Sequence, residues 1–271
     1  MIVDFHTHIF PEKIAGKTLE KLSEMSNEPY YSGATADSLL ASMEGAQVDL
    51  SIALPVVTAP RQFDSINRFA AEVNARYYDG EKHTGILSLG GIHPDCEDYK
   101  EKLRQIKELG LPGIKLHPVY QQVSFDDIRY MRIVDYASEL ELCVVAHAGY
   151  DVGFPGADFV SPSVSKHLIE TVHPQNLILA HMGGYGQWSE VEEELAGLPV
   201  YLDASYALGK MADEQFLRLI EKHGAGQILF ATDCPWMDQR EQAEKLKSLP
   251  LSQDQKEQIL WKNAFDILGF C

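Results

Sequence analysis

Residues 1–10 read MIVDFHTHIF, an apolar run that ends in two histidines one residue apart. Positions i and i+2 of a strand face the same side, so His6 and His8 should present two imidazoles together. A second run, ILFATDCPW at 228–236, closes in the same way on Asp233. Strand ends bearing imidazole and carboxylate groups predict a barrel of parallel strands, because there the C-terminal strand ends form the reactive face.

The stretch between them repeats one rhythm. The apolar runs MIVDF, VDLSIALP, GILSLGGI, GIKL, ELCVVA, NLILA, VYLDA and QILFA alternate with amphipathic segments such as SINRFAAEVNARYY and DDIRYMRIVDYASEL. Runs rich in β-branched residues alternating with 3.6-period patterns are the mark of βα units. Eight such units predict an α/β fold, a closed (β/α)8 TIM barrel, as a single domain over 1–271, with 252–270 as an extra C-terminal helix. Segments 11–36 and 148–165 carry many turn residues and are expected as long loops over the mouth. LGGIHP and HMGGYGQW lack the spacing of a dinucleotide or mononucleotide loop and read as flexible connections. No GxSxG elbow is present.

Composition narrows the partners. Forty acidic against 23 basic residues leave a net charge of −17, which repels phosphate backbones and anionic lipid alike. A small-molecule substrate is therefore expected, with no nucleic acid and no membrane, and a homodimer as the default assembly. With no long apolar span, and Asp4 interrupting any leader-like pattern, a cytoplasmic protein is expected. Cys96, Cys143, Cys234 and Cys271 are scattered, with no CxxC pair, and read as reduced thiols.

The informative residues close the apolar runs: His6 and His8 on strand one, Lys115 and His117 on strand four, His147 on five, His181 on six and Asp233 on eight. One histidine after a strand is ordinary; this many groups converging on one mouth suit a divalent metal ion. Zn²⁺ is the first expectation, with Mn²⁺, Fe²⁺ or Co²⁺ as alternatives, and an open position would admit a reactive water. His93 reads as structural, and His83, His167, His173 and His223 as surface or capping residues. Arg61 and Lys210 read as surface cations, while Tyr150 and Trp236 are candidate pocket walls.

DFHTH, GIKLHP, VVAHAG, LILAHMGG and ILFATDCPW, in this order on strands one, four, five, six and eight, resemble the amidohydrolase superfamily. The tail LSQDQKEQILWKNAFDILGF is similar to the closing helix of its amidohydrolase-related group, which includes aminocarboxymuconate semialdehyde decarboxylase. The resemblance implies that His6, His8, His147 and Asp233 hold the metal, and that Asp233, His181 and Lys115 act in catalysis. One ion is the leading expectation. Lys115 matches a position carboxylated in some binuclear relatives, and His181 binds the second ion in such relatives, so two ions remain open. His117 either lines the pocket or plays a structural part beside Pro118.

The implied chemistry is hydrolysis of an amide, lactone or ester by a metal-activated water, Asp233 taking its proton and His181 steadying the oxyanion or serving the leaving group. The alternative is nonoxidative decarboxylation of a small unsaturated or aromatic acid. Two further readings are weaker. A TatD-like deoxyribonuclease also opens with HxH, but its glutamate ligand near strand three has no match here and the acidic surface opposes DNA. A noncatalytic barrel stapled by metal is opposed by the extra polar groups Lys115 and His181.

Overall fold

The computed structural model describes residues 1–270; Cys271 lies outside them. Among the described residues ten strands form: β1 (Val3–Thr7), β2 (Leu50–Ala53), β3 (Tyr78–Asp79), β4 (Thr84–Ser88), β5 (Gly90–Gly91), β6 (Gly113–Leu116), β7 (Cys143–Ala146), β8 (Leu177–Leu179), β9 (Tyr201–Asp203) and β10 (Ile228–Leu229). All are parallel to their neighbours except β3, a short antiparallel partner of β4. The run GILSLGGI is thus one barrel strand broken at Leu89, β4 pairing with β2 and β5 with β6. Two asparagines of the preceding helix cover the break. Asn74, on the helix Phe63–Tyr77, exchanges two hydrogen bonds with the main chain of Ser88, and Asn67 does the same with Gly91. Each amide stands in for a missing strand neighbour, satisfying main-chain groups that would be costly to bury unpaired.

Strand order runs β1–β2–β4–β3 in one sheet and β10–β9–β8–β7–β6–β5 in the other. Main-chain bonds from Phe5 to Phe230, Asp233 to His6 and His8 to Cys234 join the first strand to the last, so the eight expected strands make a (β/α)8 TIM barrel. Along these strands alternate residues separate into two cores. Val3, Phe5, Leu50, Ile52, Leu54, Leu87, Leu89, Cys143, Val145, Ile178, Leu229 and Ala231 pack inside the barrel, with Ala264 and Ile267 of the C-terminal helix below them. Their neighbours Ile86, Ile114, Leu116, Val144, Leu179, Leu202 and Phe230 face outward onto the helices. Burial on both faces explains why the strands read as continuous apolar runs.

Two expectations change. Segment 11–36 is not all loop, since Glu12–Ser26 is a helix with Pro11 before it, Glu12 in its first turn and Ala15 and Leu19 buried one turn apart. Gly16 masks this pattern in the sequence. The helix expected through Tyr78 stops at Tyr77, where the chain turns into β3. Cys96, Cys143 and Cys234 are free and buried. Among the described residues no helix is long and apolar enough to cross a membrane.

Candidate active site

The site lies at the C-terminal ends of the strands, and three different backbone devices aim its side chains inward. Lys115, His117, His147, Asp203, Ser205 and Asp233 continue the inward alternation of their strands. His6 does not, because Phe5 already faces the interior. Between Asp4 and Thr7 the first strand advances three residues while β2 advances two, from Ser51 to Ala53. This bulge shifts the alternation by one and turns His6 and His8 to the cavity, a common use of bulges beside active sites. His181 is redirected by a left-handed backbone, φ 58°, and Asp233 also holds φ 68°. Such conformations in residues with a Cβ cost of order 1 kcal/mol or more and gather where function demands them.

His6, His8 and Asp233 each offer a donor atom, all within 4.8 Å of one another. Nε2 of His6 lies 3.2 Å from Nε2 of His8, and Asp233 Oδ1 lies 3.4 and 3.1 Å from the two. The far sides of both rings fix their tautomers. His8 Nδ1 donates to the carbonyl of Leu54 at 2.9 Å, and His6 Nδ1 donates to Asp203 Oδ2 at 2.9 Å. In the neutral rings both Nε2 atoms therefore carry lone pairs, and they meet a third acceptor, the Asp233 carboxylate. Three converging acceptors call for a cation. Donors about 2.1 Å from one tetrahedral ion would stand roughly 3.4 Å apart, so the residues present fit a divalent metal.

Lys115 stands beside this trio, its Nζ 3.2 Å from His6 Nε2 and its side chain wholly buried. Burial lowers its pKa to about 8, against the opposing pull of Asp203 and Asp233. Burial and the neighbouring lysine hold His6 neutral, its pKa near about 3. Burial alone would raise Asp233, but His6, His8 and His181 outweigh it and hold the carboxyl at about 2. Burial likewise opposes ionisation of Asp203, yet His6, His181 and Lys115 keep it well below the usual carboxylate range.

His147 takes a different place from the other expected metal ligands. It groups with His117 and Asp151, again within 4.8 Å, and its Nδ1 is 3.1 Å from Nε2 of His181. Its own Nε2 is buried without a hydrogen-bond partner. His181 donates from Nδ1 to the carbonyl of Ser205 at 3.1 Å, so its Nε2 is the lone-pair side. Asp203 binds the main-chain N–H of His181 at 3.0 Å and accepts a short bond from the Ser205 hydroxyl. Sequence reading overlooked Asp203, Ser205 and Asp151. Asp203 had a visible signal, since it closes the run VYLDA as Asp233 closes ILFAT. Ser205 and Asp151 had none.

His6, His8, Lys115, His117, His147, Asp151, His181 and Asp233 form one end of a cavity of about 590 Å³. Its walls are Phe10, Ile14, Leu22, Met25, Leu54, Ile66, Phe69, Tyr150, Val152, Tyr185, Tyr206 and Trp236. The helix Glu12–Ser26 and the loop after β7 supply much of them. Gly149 sets that loop: at φ 83° it packs so closely on Tyr185 and Gly184 that an added Cβ would lie 2.1 Å from the Tyr185 nitrogen. Lys115 is the one Lys or Arg among the described residues lining the cavity. Arg61 is exposed outside it, and Lys210 pairs with Glu28 at 3.4 Å while covering the Tyr206 ring. His93 accepts from the Asp95 N–H, His223 bridges Gly197 and Val200, and His167 pairs with Asp126.

A parallel barrel whose strand ends gather histidines, a lysine and aspartates has the build of a barrel enzyme with its reactive face at the C-terminal strand ends. The sequence profile of the amidohydrolase 2 family matches residues 3–270, and the chain belongs to that family. No curated protein matches the sequence significantly. An uncharacterised TIM-barrel protein from Bordetella bronchiseptica superposes with TM-score 0.79 at 17% identity, covering 99% of this chain and 98% of that one. A 2,6-dihydroxybenzoate decarboxylase from Rhizobium gives 0.75 at 16%, covering 99% and 98%. A dihydroxybenzoic acid decarboxylase from Polaromonas sp. JS666, with bound manganese and the inhibitor 2-nitroresorcinol, gives 0.73 at 16%, covering 99% and 96%. At these identities the likeness concerns the fold.

Proposed function

We propose that this enzyme is a metal-dependent nonoxidative decarboxylase of a small aromatic or unsaturated carboxylic acid. The observation that carries the reading is Lys115, a buried lone cation beside the His6, His8 and Asp233 trio, under apolar walls. One charged end below a large apolar chamber fits a molecule with one carboxylate and a planar hydrocarbon body. Apolar surroundings favour dispersing the carboxylate's charge as the carbon–carbon bond breaks. The decarboxylases among proteins of the same fold support the same choice over hydrolysis.

His6, His8 and Asp233 would hold the ion, while His147, expected as a further ligand, groups with His117 and Asp151; the manganese of the Polaromonas structure makes that metal the first to test, beside zinc. When bound, the ion supplies positive charge that anchors the acid and accepts electron density. Lys115 donates hydrogen bonds to the carboxylate and sets its orientation. Loss of CO2 leaves an electron pair on carbon, which takes one proton to give the product. His181 is placed to carry that proton on Nε2, burial lowering its pKa while Asp233 and Asp203 favour the charged ring. The apolar walls exclude competing water.

Hydrolysis of an ester, lactone or amide is the second reading, favoured by Asp233, whose ionised carboxylate could take a proton from an attacking water. Aromatic acids offered to the manganese- and zinc-loaded protein, with CO2 release followed beside ester and lactone cleavage, separate the two. CO2 release abolished by chelation is expected; ester or lactone turnover with no CO2 from any acid would overturn the decarboxylase assignment.

A further inference from the structure

The helix Glu12–Ser26 carries two apolar stripes, and the fold buries only one of them. Ala15 and Leu19 are buried. Ile14, Thr18, Leu22 and Met25, spaced three or four residues apart and so stacked on the adjoining face, line the active-site cavity instead. From Ile14 to Met25 the helix rises about 16 Å, at about 1.5 Å per residue, which is longer than a single aromatic ring with its carboxylate. Ile66 and Phe69 of the helix Phe63–Tyr77 line the same chamber, as does Val152 of the loop after β7. Toward solvent this apolar surface is left open: Ile14 is 50% exposed, Met25 41% and Tyr150 44%. Apolar side chains gathered in the open around a cavity mark a ligand groove.

Polar side chains on the same elements are turned back on their own chain. The Ser26 hydroxyl donates to the Leu22 carbonyl at 2.9 Å and the Ser65 hydroxyl to the Gln62 carbonyl at 3.0 Å. Oε1 of Gln62 accepts from the N–H groups of Thr58 and Ala59, each at 2.9 Å. Glu28, just past the helix, faces Lys210 at 3.4 Å. Among the described residues lining the cavity the one Lys or Arg, Lys115, stands at the far end beside His6. A phosphate or a second carboxylate laid along the stripe would give up its water and gain no cation, whereas hydrocarbon gains by leaving water. A one-ring acid held at Lys115 would leave most of the stripe wet.

We propose that the stripe Ile14, Leu22 and Met25, with Ile66 and Phe69, forms a sleeve for an apolar extension of the substrate, an alkyl chain or a second ring, so that the enzyme takes lipophilic acids. This rests on the decarboxylase reading for the acid end and adds the class of group attached to it. Lys115 and the metal-binding end hold the carboxylate, and the sleeve selects by the hydrocarbon it removes from water.

The test is equilibrium binding of benzoate and of its 3- and 4-alkyl derivatives, methyl to hexyl, to the full chain loaded with manganese, read by calorimetry. In at least one series the first added carbons should each tighten binding about threefold, and the hexyl acid should bind about thirtyfold or more tighter than benzoate, at one molecule per chain. The triple variant Ile14→Gln, Leu22→Gln, Met25→Gln changes positions that are all at least partly exposed and keeps a good helix former at each. The ratio of hexyl to benzoate affinity, taken within that protein, should fall at least about threefold. Ile66→Gln, also partly exposed, should lower the same ratio at least about threefold and decides the matter if the triple variant does not fold. No series reaching thirtyfold, a ratio that falls less than this in the folded variants, or several acids bound per chain would overturn the sleeve. CO2 release is followed in parallel. A gain with chain length but no CO2 from any acid removes the decarboxylase reading alone, and CO2 release without that gain removes the sleeve alone.

Discussion

Nδ1 of His6 donates to Oδ2 of Asp203 across 2.9 Å, joining residues 197 positions apart in sequence. The bond faces away from the converging donors and sets which nitrogen of His6 is free. Carboxylates behind metal-ligating histidines commonly have this effect, fixing the tautomer and raising the basicity of the ring.

Asp203→Asn should therefore weaken manganese or zinc binding by about 10- to 100-fold while leaving His6, His8 and Asp233 in sequence. Competition with a chelator of known affinity measures it, and an unchanged affinity would show that Asp203 serves packing alone.

Asp233 is both a donor of the metal trio and an ionised carboxylate at the cavity floor. Asp233→Asn should keep the fold, bind metal more weakly and lose about 10²-fold or more in turnover. Wild-type rate and metal content together would reduce this aspartate to a structural residue.

His181 points Nε2 at His147 rather than joining the His6, His8 and Asp233 group. His181→Asn should lose turnover by about 10²-fold yet retain its metal stoichiometry, as expected of a proton carrier beside a single ion. Elemental analysis showing one equivalent lost would instead place His181 at a second ion.

Lys115 has a folded pKa of about 8 against an ordinary value of 10.5. Between these values the unfolded chain holds the proton and the folded one does not, so this residue makes the metal-free protein gain stability as pH rises from about 8 to 10.5. Below about pH 8 its buried charge opposes folding by up to about 3 kcal/mol. Lys115→Met should flatten that rise, stabilise the metal-free protein at neutral pH and abolish acid binding. Denaturation profiles of both proteins across this range measure the difference, and parallel profiles would contradict the assignment.

Metal itself should stabilise the fold. Micromolar manganese or zinc, in excess of its dissociation constant, should raise the melting temperature, by about 2.7 kcal/mol of added stability at a hundredfold excess. An excess of chelator should reverse the shift, and Asp233→Asn should blunt it.

The eight strands, their order and the residues at their ends were legible because apolar β-branched runs and their closing polar residues are local features of the chain. His6, His8, Lys115, His147, His181 and Asp233 all line the cavity for that reason. The direction each one faces was not local. A strict alternation from Phe5 would turn His6 away from the cavity, and only the extra residue opposite β2 brings it in. His181 depends on a left-handed φ at a position with no glycine to announce it. His147 stands apart from the His6, His8 and Asp233 trio and beside His117 because β7 pairs with β6, and the loop after β7 folds back to bring Asp151 to both.

By itself, then, the sequence determined the barrel and the chemical types gathered at its mouth, since periodicity and strand endings are written over a few residues. Tertiary structure alone decided which lone pairs meet. Tautomers and ligand groupings depend on contacts such as Asp203 with His6, Leu54 with His8 and Tyr120 with His117, and those exist only once strands distant in sequence lie side by side.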